Sequence, residues 1–374
     1  MQLHIGSKHF NAQVIVALDV AGAEHLVIMA KASWRIPEPG QRPRPLLPPA
    51  FVLSDAYRGE PGQSALRYGD DLARFKPRCD VILDAHAHSP GGEPVTSLIA
   101  GIEVDGWRKH VRVHGPRQWR RKGGGWGLTP AQSFSSMPLH HGLALGGTRE
   151  YQQQSQTLTE AHLHNPVGQG WATPHTLDQF DGQAAPQLEH PDQPIQRPDA
   201  ALLPHALSPI GRHWMPRRQL SGTYDEAWQR DVFPLLPLDF DEQFNQCAPL
   251  DQQLPYLRGG ESVRLIHLIA GRPHVSFTLP KFQLPVRILR TDYTRETPDP
   301  VVDTLFFEPD EGRFSVVWRT SVPIRRRLQE FSAVAVGPVN QAWWEAKSLG
   351  LDEAGCPSCR SETVQSPMSL QEAT

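Results

Sequence analysis

The sequence predicts a mainly β protein: sandwich-like antiparallel sheets joined by long ordered loops, with a few short helices. Three observations carry that expectation. The chain of 374 residues holds 36 prolines and 30 glycines, a load of helix-interrupting residues that excludes long helical bundles and coiled coils. Apolar residues recur at period two in several segments, the spacing that turns one face of a strand toward a core. Turn-forming residues stand between those segments, where hairpins need them. An apolar content of 39 % is enough for a sizeable core and argues against global disorder.

The first strand is expected over residues 26–36, where Leu26, Ile28, Ala30, Ala32, Trp34 and Ile36 share one face of a half-buried strand. Pro37-Glu38-Pro39-Gly40 ends it, and residues 37–50 read as a surface loop. A second strand is expected over 80–88, stopped by Ser89-Pro90-Gly91-Gly92. The clearest hairpin joins 96–104 to 107–113 through Asp105-Gly106, which tolerates the positive φ angles of a type I′ turn. A hairpin with a longer loop pairs 304–307 with 314–318 around Pro309-Asp310-Glu311-Gly312.

Residues 136–260 show no lasting period. Their large side chains, among them Trp171, Trp214, Tyr224, Trp228, Phe233, Phe240 and Phe244, gain by burial, so the segment reads as irregular but packed. Short helices are expected at 223–230, with Thr223 as N-cap, and at 339–347 around Trp343 and Trp344. The organisation is then a single body over 1–347, divisible into lobes over 1–135 and 136–347, followed by a flexible tail over 348–374.

The formal net charge of −3 supplies no field that would concentrate polyanions, so nucleic acid is not an expected partner. Apolar stretches such as Val14–Leu18 and Leu26–Ala30 are too short to span a bilayer, and no basic flank precedes a longer one. The expectation is a cytoplasmic protein without a membrane contact. Four cysteines, at 79, 247, 356 and 359, are too scattered for a disulfide framework and agree with a reducing compartment.

Several constellations could carry chemistry. Asp84, His86 and His88 fall at alternate positions of the second strand, so imidazole and carboxylate ligands suited to zinc or iron would leave one face. The plain alternative is a polar outer face opposite Val81, Leu83, Ala85 and Ala87. Cys356-Pro357-Ser358-Cys359 has the spacing of half a zinc knuckle or a redox pair, or is simply two thiols in a tail. Arg120-Arg121-Lys122 before Gly123-Gly124-Gly125 has the composition of an anion nest but lacks a following helix, and reads as a flexible loop. Asp239, Asp241 and Glu242 could grip a hard cation or form a solvated loop. No nucleophile elbow, His-Glu-x-x-His or Walker loop is present.

A chain of short motifs narrows the reading. Lys76-Pro77 with Asp80-Val81, then the 85–92 stretch, then 109–115 and Arg117-Gln118-Trp119, resemble the first half of a bacterial domain-of-unknown-function family. Its genes commonly lie beside those for the VgrG and PAAR spike proteins of type VI secretion systems. Met137-Pro138-Leu139, Gly146-Gly147, the 165–170 stretch, Trp214-Met215-Pro216-Arg217, the 222–228 stretch, 237–241, 248–253 and 257–261 continue the likeness, over roughly residues 10–320. The chain departs from the family pattern at His140-His141, at Leu145 and at Leu188-Glu189-His190-Pro191.

The resemblance implies an effector adaptor or chaperone that binds a secreted toxin and loads it onto a VgrG or PAAR protein, without turnover and without a cofactor. Trp214, Arg217, Tyr224, Asp225 and Trp228 are the partner-binding candidates, since exposed aromatic and Arg clusters anchor interfaces. Mutual packing of the same five side chains is the alternative. A metal-dependent hydrolase built on Asp84, His86 and His88 is the second functional expectation.

Overall fold

The computed structural model describes residues 1–351. Alternating apolar side chains build a twelve-residue strand, Glu24–Arg35, at the heart of the main sheet. Arg313–Pro323 pairs with it on one side and Asn11–Leu18 on the other; Val301–Glu308, Cys79–Leu83 and Gln253–Leu254 continue the sheet outward. Cys79–Leu83 runs parallel to Val301–Glu308, so segments far apart in sequence meet in one ladder. Leu188–Glu189, Trp107–His114, Ser97–Val104, Ser262–Ile269 and Arg272–Thr278 form a second sheet in that order. Gln2–Ile5, Phe331–Val336, Val286–Arg290 and Arg295–Glu296 form a third. The fold is mainly β and sandwich-like, as expected.

One core joins these sheets. Leu26, Ile28, Ala30, Ala32, Trp34 and Ile36 all enter it, against Ala100, Ile102, Val104, Val111 and Val113 of the second sheet. Each such burial removes apolar surface from water and contributes roughly 1.5–3 kcal/mol for a Val, Leu or Ile side chain. Phe277 stacks on Phe314 at 5.6 Å, carrying ring contact from sheet to sheet. The lobes proposed over 1–135 and 136–347 contribute side by side to this core and to the main sheet.

The Asp105-Gly106 hairpin forms as read, with Asp105 at φ 44° and Gly106 at φ 90°. Pro309–Glu311 and the left-handed Gly312 close the other hairpin. Four local readings change. The far face of Glu24–Arg35 is also buried, because Lys31 meets Asp71 at 2.8 Å and the Ala50 carbonyl. The 37–50 loop includes a short strand, Arg44–Leu46, against Ser33–Arg35. The strand expected over 80–88 breaks after Leu83; His86–His88 pairs instead with Ser136–Pro138. Arg120-Arg121-Lys122 lies in a hairpin whose turn is Gly123-Gly124, both at positive φ.

The two short helices exist with shifted starts. Glu226–Asp231 is capped by Asp225, whose Oδ1 accepts the Trp228 N–H at 2.8 Å, while Thr223 is tied to Asp239. Gln341–Ser348 is capped by Asn340, and Trp343 and Trp344 pack on Leu289, Ala333 and Ala335. The expected tail beyond residue 351, with Cys356 and Cys359, lies outside the described residues. No helix among the described residues is long and apolar enough to cross a membrane.

Candidate functional site

The five partner-binding candidates separate into two environments. Trp214 is fully buried; its Nε1–H donates to His213 Nε2 at 3.0 Å and its ring meets His141 edge-on at 5.6 Å. Arg217, 3 % exposed, donates to the Ile210 carbonyl at 2.8 Å and the Phe244 carbonyl at 3.0 Å, with its guanidinium over the Phe244 ring. Arg217 satisfies loop carbonyls that would otherwise be buried without partners, and Trp214 spends its indole N–H on the His213 ring. They hold structure and present nothing to solvent.

Tyr224, Asp225 and Trp228 lie on a projection. Tyr224 is 55 % exposed and packs edge-on against Trp228, which meets Phe233 at 5.5 Å. Phe233 and Leu238 are 65 % and 78 % exposed, so the apolar surface extends past the residues picked from the sequence. Its base is fixed. Asp239 accepts from Thr223 N–H at 2.9 Å and from Thr223 Oγ1 at 2.7 Å, and Trp228 Nε1 donates to the Leu235 carbonyl at 3.0 Å. Asp241 caps the following turn through the Gln243 N–H, and Glu242 pairs with Arg74 and Asn245. The acids considered for a hard cation are thus engaged with the protein.

Asp84 does not share partners with His86 and His88. Arg58 and Arg67 hold the Asp84 carboxylate, Arg67 Nε at 2.7 Å. Burial raises the Asp84 pKa, but the two guanidiniums outweigh it and leave the group below its ordinary value. His86 Nδ1 and His88 Nε2 instead converge on Asp310, at 2.9 and 2.8 Å, from the hairpin turn beside them. Among the described residues no group of three or more His, Cys, Asp or Glu is placed to hold a metal ion.

Other motif residues are joined underneath. Asp80, wholly buried, accepts from Lys76 Nζ at 3.0 Å, from Gln246 Nε2 at 3.0 Å and from the Cys247 N–H at 3.0 Å. Gln252 Nε2 donates to the Val81 and Leu207 carbonyls, and Asn165 Nδ2 to those of His141 and Leu145. The sequence pattern of a family described as an uncharacterized protein conserved in bacteria, DUF2169, matches residues 21–319. The chain belongs to the DUF2169 family. No curated protein and no solved structure matches it.

This DUF2169 chain also carries a cavity that the sequence did not reveal. A space of about 310 Å³ is lined by His141, His164, His190 and His205, with Met215, Pro216 and Leu250 on its apolar side. Leu163, Leu203 and Leu250 are exposed close by. Arg217 donates to the carbonyl of Ile210 and Trp214 packs edge-on against His141, and both Ile210 and His141 line this space. Two of the points where the chain departs from the resembled pattern, His141 and His190, face this space. The four histidines come from four loops with no common spacing, which is why no local signal marks them.

Proposed function

We propose that this DUF2169 chain is a type VI secretion effector adaptor, a cytoplasmic chaperone that binds a secreted toxin and helps seat it on a VgrG or PAAR spike protein. It acts by docking, without turnover and without a cofactor. The observation that carries the docking role is the exposure of Tyr224, Phe233 and Leu238, large apolar groups left in water beside a half-buried Trp228, on a base fixed by Asp239 and the Leu235 carbonyl. Aromatic anchors of this kind carry most of the energy of protein interfaces, and a rigid base limits the entropy lost on binding. The likeness to families encoded beside spike genes supplies the secretion context.

Co-purification of the full chain with the products of its neighbouring genes tests this. A toxin that comes down with the wild type and is lost with Trp228→Ala and Phe233→Ala supports the role; toxin delivery unchanged in a strain lacking the chain sinks it. A second reading, the metal-dependent hydrolase, has in its favour that His86 and His88 converge on one carboxylate. Elemental analysis decides it: stoichiometric zinc or iron, lost on His86→Ala with His88→Ala, is what that reading requires.

A further inference from the structure

The far face of the main sheet carries a pocket of about 130 Å³. Phe314, Val316 and Trp318 enter the core, so strand alternation turns Ser315 and Val317 to this other face. Register supplies the rest of the floor. Phe306 stands beside Ser315 and Ile82 beside Phe306, while Thr304 and Lys31 flank Val317. Pro49, Ala50 and Val52, with residues 68–71, complete the lining. These two segments are tied to each other: the Asp71 N–H donates to the Val52 carbonyl and the Val52 N–H to Asp71 Oδ2, both at 2.8 Å.

Six charged side chains line the pocket, three of each sign, and each is already spent on an ion pair. Lys31 meets Asp71 at 2.8 Å, Arg313 meets Glu308 at 2.7 Å, Lys76 meets Asp80 at 3.0 Å, and Asp70 is held by Arg212. The neutral polar groups are engaged as well. Tyr68 donates its hydroxyl to Glu308 at 2.9 Å, Thr304 Oγ1 accepts from Lys76 and donates to Asp303, and Cys247 Sγ lies 3.7 Å from Asp80 Oδ2. Ser315 is the exception. It is 2 % exposed, and its Oγ is the one buried side-chain oxygen or nitrogen of this lining that has no hydrogen-bond partner among the described residues.

This arrangement selects an occupant. A charged molecule would meet no unpaired counter-charge and would be costly to bury. Water needs two to four polar partners; Ser315 offers one, beside apolar walls of Val52, Ile82, Phe306 and Val317. The volume approaches that of an engineered protein cavity of about 150 Å³ that takes up benzene, so it suits one ring. The Phe306 and Tyr68 rings, 5.2 Å apart, supply aromatic contact. We propose that this pocket binds a free, neutral, single-ring phenol, its ring against Phe306, Ile82 and Val317 and its hydroxyl on Ser315 Oγ. The proposal stands apart from the adaptor reading, and loss of toxin co-purification would leave it untouched.

Ligand-observed NMR titration of the full chain with phenol, toluene and benzoate at neutral pH tests it. Phenol is expected to bind one to one with a Kd of about 1 mM or below, and benzoate at least about tenfold more weakly. Ser315→Ala should weaken phenol by about three- to tenfold, the scale of one hydrogen bond, and leave toluene within about twofold. Ser315→Leu places a larger side chain in the pocket and should remove binding of both. No binding of phenol at about 10 mM, or benzoate binding as tightly as phenol, overturns the proposal. So does a phenol affinity unchanged by Ser315→Ala, an equal loss of phenol and toluene in that variant, or binding that survives Ser315→Leu. The comparison of phenol with benzoate needs no variant, and Ser315→Ala removes a single oxygen, so neither depends on the leucine variant folding.

Discussion

Trp214, in a loop, and Trp228, on the short helix that follows, belong to one irregular stretch, yet the molecule uses them in opposite ways. Trp214 is enclosed, its indole N–H satisfied by His213 and its face set against His141. Trp228 also spends its N–H on the protein, at the Leu235 carbonyl, but its ring supports Tyr224 and Phe233, which stand in water. The same residue type anchors a wall in one case and lifts a surface in the other. What separates them is whether the neighbouring rings are covered by chain, and residue type alone does not encode that.

The comparison breaks most visibly in stability. Trp214→Ala is expected to cost about 3–5 kcal/mol, since a large cavity opens where nothing can collapse into it; chemical denaturation measures this. Trp228→Ala should cost clearly less, because the Trp228 ring is only half-buried. Equal losses at the two positions would mean that the projection is part of the core and would remove the distinction.

Asp84→Asn is next in size, at about 2 kcal/mol near neutral pH, because two guanidiniums lose a charged acceptor. Its pH dependence has a fixed sign. The folded-state pKa of Asp84 lies below its ordinary value, so its contribution is full above the unfolded pKa and is lost as pH falls through the folded one. Denaturation midpoints of wild type and variant should therefore converge below about pH 4. A gap that widens with acid would show that Asp84 is not held by Arg58 and Arg67.

Local patterns were legible and distant pairings were not. The core-facing side chains from Leu26 to Ile36 and the Asp105-Gly106 turn follow from spacing and φ preference, which act within a few residues. The break after Leu83 was hidden because the alternation continues through His88; what interrupts it is the Ser136–Pro138 strand, which takes His86–His88 as partner. Burial of Lys31 depends on Asp71, and the cavity depends on four separate loops. The candidate cluster was half legible. Its residue types announced packing or docking, but the covering of Trp214 and Arg217 is set by Ile210, Phe244 and His141.

The helix on the projection gives a smaller test. Thr223 and Asp225 are both capping types; Thr223 is occupied by Asp239, leaving Asp225 to receive the Trp228 N–H. Asp225→Ala should cost about 1 kcal/mol, and Thr223→Ala should leave the helix start unchanged, as amide exchange at Trp228 would register. Faster exchange at Trp228 in the Thr223 variant would return the cap to that residue.

The smallest expected effect discriminates most sharply. Phe233→Ser removes a ring that is largely in water, and an exposed apolar side chain contributes little to folding, so stability should stay within about 0.5 kcal/mol of wild type. If the projection is a docking surface, the same substitution should still weaken capture of the partner by about tenfold or more, the scale of an interface anchor. A side chain that changes binding without changing folding is placed for its partner. One that changes folding by several kcal/mol, as Trp214 is expected to, is placed for the fold. Should Phe233→Ser alter neither, the exposed rings would have no docking role, and Trp228 would differ from Trp214 only in how much of it is covered.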